Sequence, residues 1–194
     1  MNLHYISQLD YPDIKYCTNI ANEELPKESN TFDKAGCGVC CFIMGVEALT
    51  GQRIPIEEAI HLAYESGSTK GYGTRLEILL SYAAPKFGLS YELTNDIEVL
   101  KMQLNNGAIA IANTGGNRDN YECPFSPNGH YIYIVGIDDE DCTIFDTACR
   151  PNKYDKWIES GVVKMLNHGL ITAKTAILDK ACENKTPRYC ILYK

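Results

Sequence analysis

The run AGCGVCCFIMGVEALTG, residues 35–51, constrains this chain more than any other stretch. Phe42, Val46 and Leu49 recur at helical spacing, and Gly51 supplies a C-terminal stop. Ile43, Met44 and Ala48 make the other faces apolar as well. A helix read from Gly38 onward must therefore sit buried at the centre of a fold. Cys37 stands at its first residue, where unpaired N–H groups and the helix dipole favour a thiolate. Gly36 and Gly38 remove side-chain bulk on both sides of it, while Cys40 and Cys41 read as small core residues one turn deeper.

Three chemistries compete for this cluster. A CxxC redox pair (Cys37, Cys40) needs a strand feeding the helix, and the preceding PKESNTFDKAG is polar. A zinc site needs four ligands, commonly two closely spaced pairs, and there is no second CxxC or HxxxH. A lone nucleophile at Cys37 needs a base and a group to orient it. A merely packed thiol is the plain alternative. The chain has nine cysteines, an odd number, so they cannot all pair within one molecule.

The rest of the chain places the partners. Residues 1–34 show no lasting periodicity, and NEELPKESN reads as a loop. Helices are expected over PIEEAIHLAYES, over RLEILLSYAAPKFG behind a Thr74–Glu77 capping box, and over DIEVLKMQLNN. GYGT reads as a turn. Pro85 should end its helix near Ala84, with Gly88 at the exit. Short strands are expected at LSYEL and AIAIAN, followed by a long polar loop, TGGNRDNYECPFSPNG. HYIYIVGI, the turn DDED and CTIFD form the clearest hairpin. Tyr154 to Leu178 is expected to be helical, and RYCILY a last strand. Helices first and mostly antiparallel strands afterwards define an α+β layout. One domain over residues 1–194 is expected, with a helical lobe over 37–106 and a sheet lobe over 107–194.

This hairpin puts His130 at the start of one strand and Asp146 at the end of the next. His130 is about eight residues before the turn and Asp146 about five after it, so bringing them together needs a stagger or bulge. The imidazole would then activate Cys37 while Asp146 fixes its tautomer. His4, His61 and His168 have no comparable setting.

AGCGVCCFIMGVEALTG together with GHYIYIVGIDDEDCTIFDTA resembles the papain-like cysteine peptidases of the double-glycine leader (bacteriocin-processing) type and their stand-alone relatives. The resemblance spans residues 5 to about 150, including YISQLDY. It implies a papain-like fold, with Cys37 as nucleophile, His130 as base and Asp146 as orienting acid. It further implies that Gln8 donates, with the Cys37 backbone N–H, to an oxyanion hole. The chain departs from the family pattern at Val39, Cys40 and Cys41, where Pro-Thr/Ser often follows Gly-Cys-Gly. It departs again at Thr147, where Pro is common.

The expected activity is thiol-dependent hydrolysis of a peptide or amide through an acyl-enzyme. Two alternatives stand beside it: transfer of the acyl group, as in phytochelatin-synthase-like enzymes, and an inactive binding module on the same scaffold. No metal or organic cofactor is expected. A formal charge of -7 with no basic cluster argues against nucleic acid as a partner. No stretch reaches the roughly 18 apolar residues of a membrane span, and no secretory signal opens the chain. A cytoplasmic location, with a peptide or small amide as substrate, is the expectation.

Overall fold

The computed structural model describes residues 4–16, 31–70 and 73–194. After a short 3-10 turn at Gln8–Asp10, the helical part comprises α1 (Phe32–Ala35), α2 (Cys37–Thr50) and α3 (Ile56–Glu65). A small ribbon, β1 (Thr69–Lys70) with β2 (Gly73–Thr74), leads into α4 (Leu76–Ala83). Then follow β3 (Ser90–Thr94), α5 (Ile97–Asn105), β4 (Ile109–Thr114), β5 (His130–Ile137) and β6 (Asp141–Phe145). The chain closes with α6 (Asp155–Glu159), β7 (Val163–Asn167), β8 (Leu170–Lys174), α7 (Thr175–Cys182) and β9 (Tyr189–Tyr193).

Helix α2 behaves as its composition demands. Its residues from Cys37 through Val46 are all buried, and it ends on Gly51 in the left-handed region. It packs chiefly on β4 and β5 of a seven-stranded sheet ordered β3-β9-β4-β5-β6-β8-β7, antiparallel at every pairing. One face of that sheet, with Ile109, Ile111, Tyr133 and Leu192, meets the apolar side of α2, α3 and α4. The other, with Ala110, Ala112, Ile132 and Ile144, is covered by Leu100 of α5, Leu178 of α7 and Tyr154. A sheet buried on both faces explains why AIAIAN carries no charge. The architecture is an α+β papain-like fold.

Three sequence expectations change. The Tyr154–Leu178 segment is not one helix: α6 stops after a single turn at Gly161 (φ 74°), and β7 and β8 form a hairpin through Gly169 (φ 73°). Strand β8 is fixed by pairing with β6, a long-range contact that local periodicity does not register. The Thr74–Glu77 capping box does not form either. Thr74 lies in β2 with its hydroxyl bonded to Tyr16 Oη at 2.6 Å, and the helix starts one residue later without a side-chain cap. In GYGT, Gly73 and Thr74 are strand residues rather than turn, and residues 71–72 lie outside the described residues. The loop NEELPKESN and Cys17 also lie outside them. Pro85 acts as expected, since α4 ends at Ala83 and a 3-10 turn leads to Gly88. Strand β3, from the expected helical half, joins the large sheet as its edge.

Candidate active site

Cys37 opens α2, and its surroundings are set by two glycines. A Cβ on Gly36 would come within 2.6 Å of the Phe32 ring, and one on Gly38 within 3.1 Å of Thr74 and 3.2 Å of Tyr131. Bulk is therefore excluded at both positions, and the N-terminus of α2 can press against β2 and β5. The residues brought together are deeply placed: Cys37 is 9%, His130 6%, Gln8 3% and Asp146 0% exposed.

His130 reaches Asp146 because β5 carries a bulge. Tyr133 pairs with Phe145 and Ile134 with Ile144, but Gly136 pairs with Thr143, leaving Val135 as the extra residue. Continued without the bulge, the Ile137–Cys142 register would set Asp146 opposite Tyr133, on the face away from His130. With it, Asp146 stands opposite Ile132, two residues from His130 on the same face. The result is a 2.7 Å contact between His130 Nε2 and Asp146 Oδ1. Thr114 steadies the strand end by donating its hydroxyl to the His130 carbonyl at 2.9 Å.

The Asp146 carboxylate is saturated with donors. Besides His130, the Ala148 N–H (3.0 Å), Lys153 Nζ (2.6 Å) and Tyr154 Oη (2.7 Å) all donate to it. Burial alone would raise its pKa; the bond and charge of His130, reinforced by Lys153, outweigh this and hold it well below the usual carboxylate range. Tyr5 Oη adds a bond to the Asp146 carbonyl at 2.7 Å. The site thus keeps a fixed negative charge beneath the imidazole.

That charge has consequences for the ring and the thiol. Burial would lower the His130 pKa, but bonds to Asp146 and to Cys37 raise it to about 9. With Nε2 on Asp146, Nδ1 is the nitrogen left for the thiol. At Cys37 burial pushes the pKa up, yet the His130 bond and charge, with the Tyr131 and Gly38 backbone, bring it below the ordinary thiol value. Cys40 and Cys41 show the contrast. Both are fully buried without such a partner, and burial drives their pKa values well above 9.0. One helix start therefore holds one thiol lowered below the ordinary value and two raised above it.

Gln8 lines the same cleft. Its Oε1 accepts from the Thr147 hydroxyl at 3.0 Å and its backbone N–H donates to the Thr147 carbonyl at 2.9 Å. Its amide nitrogen donates to the Asp33 carbonyl at 2.6 Å, which leaves its second hydrogen for a ligand. Thr147, where the resembled family commonly has Pro, thus orients the side chain implied as oxyanion donor.

Sequence reasoning missed Lys153, Tyr154 and Thr147. Tyr154 is the first residue of the segment read as a helix, and Lys153 immediately precedes it. A lysine seven residues beyond the aspartate was the available signal. His4, His61 and His168 lie away from the site: His4 and His61 face Glu47 and Glu65, and His168 packs on Tyr5. Among the described residues no three metal-ligating side chains converge.

No family model and no curated protein matches the sequence. The fold does match a solved structure, described as "putative C39-like peptidase from Bacillus anthracis", with a TM-score of 0.59 and 13% identity. That match covers 100% of this chain and 95% of the other. The fold is thus a C39-peptidase-like, papain-like one. Among the described residues, no helix is long and apolar enough to cross a membrane.

Proposed function

We propose that the protein is a cysteine peptidase or amide hydrolase, a stand-alone relative of the double-glycine leader peptidases. The Cys37 thiolate attacks the scissile carbonyl carbon, and the carbonyl electrons move to oxygen. That oxyanion is held by the Cys37 backbone N–H, unpaired at the helix start, and by the Gln8 amide. His130 donates its proton to the leaving amine as the C–N bond breaks, leaving a thioester on Cys37. His130, now neutral, takes a proton from water, whose oxygen attacks the thioester carbonyl; the C–S bond then breaks, releasing the acid and returning the Cys37 thiolate beside protonated His130. Asp146 keeps the imidazole oriented and stabilises its cationic form.

The observation that carries this reading is the buried run from Cys37 through His130 to Asp146, with Cys37 alone among the clustered thiols below its ordinary pKa. The test is the pH dependence of iodoacetamide alkylation at Cys37, followed by mass spectrometry, in wild type and His130→Ala. Fast labelling of Cys37 below pH 7 that disappears in the variant is expected. Equal labelling of Cys40 and Cys41, or an ordinary thiol profile, overturns the reading. Peptides with a double-glycine site and added amine or thiol acceptors then distinguish leader cleavage, other hydrolysis and acyl transfer by their products.

A further inference from the structure

The cleft at Cys37 is cationic although the chain is acidic. Against a formal charge of -7 for the whole sequence, the roughly 630 Å³ cleft is lined by Lys34, Arg75, Arg150, Lys153 and Lys185, with Asp33 as its one carboxylate among the described residues. Two of these cations are occupied: Lys153 on Asp146 at 2.6 Å, and Arg75 on Glu77 at 3.1 Å. Among the described residues no carboxylate pairs with Lys34, Arg150 or Lys185.

These three come from separate segments and meet at the reacting groups. Lys34 sits in α1, three residues before Cys37. Arg150 lies four residues past Asp146. Lys185 Nζ stands beside Gly129, 3.4 Å from where a Cβ on it would be, at the entrance to His130. Outside the cleft, Lys101, Lys156, Lys174 and Lys180 are paired with carboxylates, so what distinguishes the three is their convergence on one concave site rather than the lack of a partner. Like charges gathered in a concave site repel one another and focus an anion into it.

We infer that the substrate carries a carboxylate close to the scissile bond, supplied by an acidic side chain or by the C-terminus of a short peptide. This rests on Cys37 being the nucleophile. Lys34, Arg150 and Lys185 receive the carboxylate, and neutral or basic peptides are poorer substrates.

The test compares iodoacetate with iodoacetamide at Cys37. The two reagents are nearly the same size and attack the same thiolate, so the ratio of their rates cancels thiolate fraction and reports the field in the cleft. The ratio should fall about tenfold in the Lys34→Gln, Arg150→Gln, Lys185→Gln variant at low salt. In wild type it should fall likewise at 1 M salt, where the Debye length is about 3 Å. An unchanged ratio in both comparisons overturns the inference. Failure of iodoacetamide itself to label Cys37 overturns the nucleophile reading instead, so the two failures are distinct. Peptide pairs identify the source of the charge: Glu against Gln beside the cleaved bond, and free against amidated C-terminus. A preference within either pair supports the inference and names the carboxylate; equal cleavage within both pairs overturns it.

Discussion

His130 Nε2 lies 2.7 Å from Asp146 Oδ1, and that contact exists because Val135 is an extra residue in β5. The two side chains share a face only on the near side of the bulge. Asp146→Asn would keep the shape and remove the charge. Peptide or amide hydrolysis should fall by about 10²–10⁴, and the alkaline limit of activity should move below pH 9 as His130 loses its partner. Lys153 would also lose its buried counter-charge, so thermal or urea unfolding should show a loss of about 3 kcal/mol.

Lys153 pulls the other way on the ring. Its ammonium sits on the same carboxylate as His130 and weakens that carboxylate's hold on the imidazolium. Lys153→Met should therefore raise the His130 pKa further. A histidine titration followed by NMR, or the alkaline limb of the rate profile, should move upward. A downward shift would contradict the charge arrangement described here.

The pH dependence has a definite sign. His130 is raised from 6.5 to about 9, so the stability its charged form contributes is full below pH 6.5 and is lost as pH rises through 9. Asp146 is depressed, so its contribution is present above 3.8 and is lost as pH falls toward its native value. Hydrolysis should follow a bell whose alkaline limb lies near pH 9 and whose acid limb lies below the 9.0 of an ordinary thiol. Initial rates across pH 4–10 check this.

Gln8 and Thr147 separate carbonyl chemistry from thiol reactivity. Gln8→Ala should lower kcat by about 10²–10³ but leave the alkylation rate of Cys37 nearly unchanged, because alkylation forms no oxyanion. Thr147→Val removes the hydroxyl on Gln8 Oε1 and should act in the same direction, with a stability loss of about 1–3 kcal/mol for the unpaired buried oxygen. Steady-state kinetics beside alkylation rates measure both.

Gly38→Ala tests the close approach at the helix start. Its Cβ would crowd Thr74 and Tyr131 and displace the first turn of α2. Cys37 alkylation at pH 6 should slow by about 10–100-fold while the circular dichroism spectrum stays the same.

The positions of α2, of the hairpin and of the final strand were legible because each has a strong local signature: all-round apolarity, alternation between turns, or a run of β-formers. Gly51, Pro85 and Gly88 end elements through local backbone geometry, which any context preserves. The stretch after Tyr154 was misread because β7 and β8 are held by β6, and its residues show no local preference strong enough to predict that pairing. Thr74 offered a plausible cap, yet Tyr16, 58 residues away, took its hydroxyl.

By itself the sequence determined that a buried helix begins at Cys37 and that a hairpin carries His130 and Asp146, since periodicity and turn chemistry act over a few residues. Only the tertiary structure decided which face Asp146 occupies, that Lys153 and Tyr154 close around it, and that Thr147 orients Gln8. Those outcomes depend on strand register and on contacts between segments distant in sequence. Burial pushes all three thiols the same way, so the partner sets the sign of each shift: the side chain is lowered beside His130 and raised at Cys40 and Cys41, where no cation answers the loss of water.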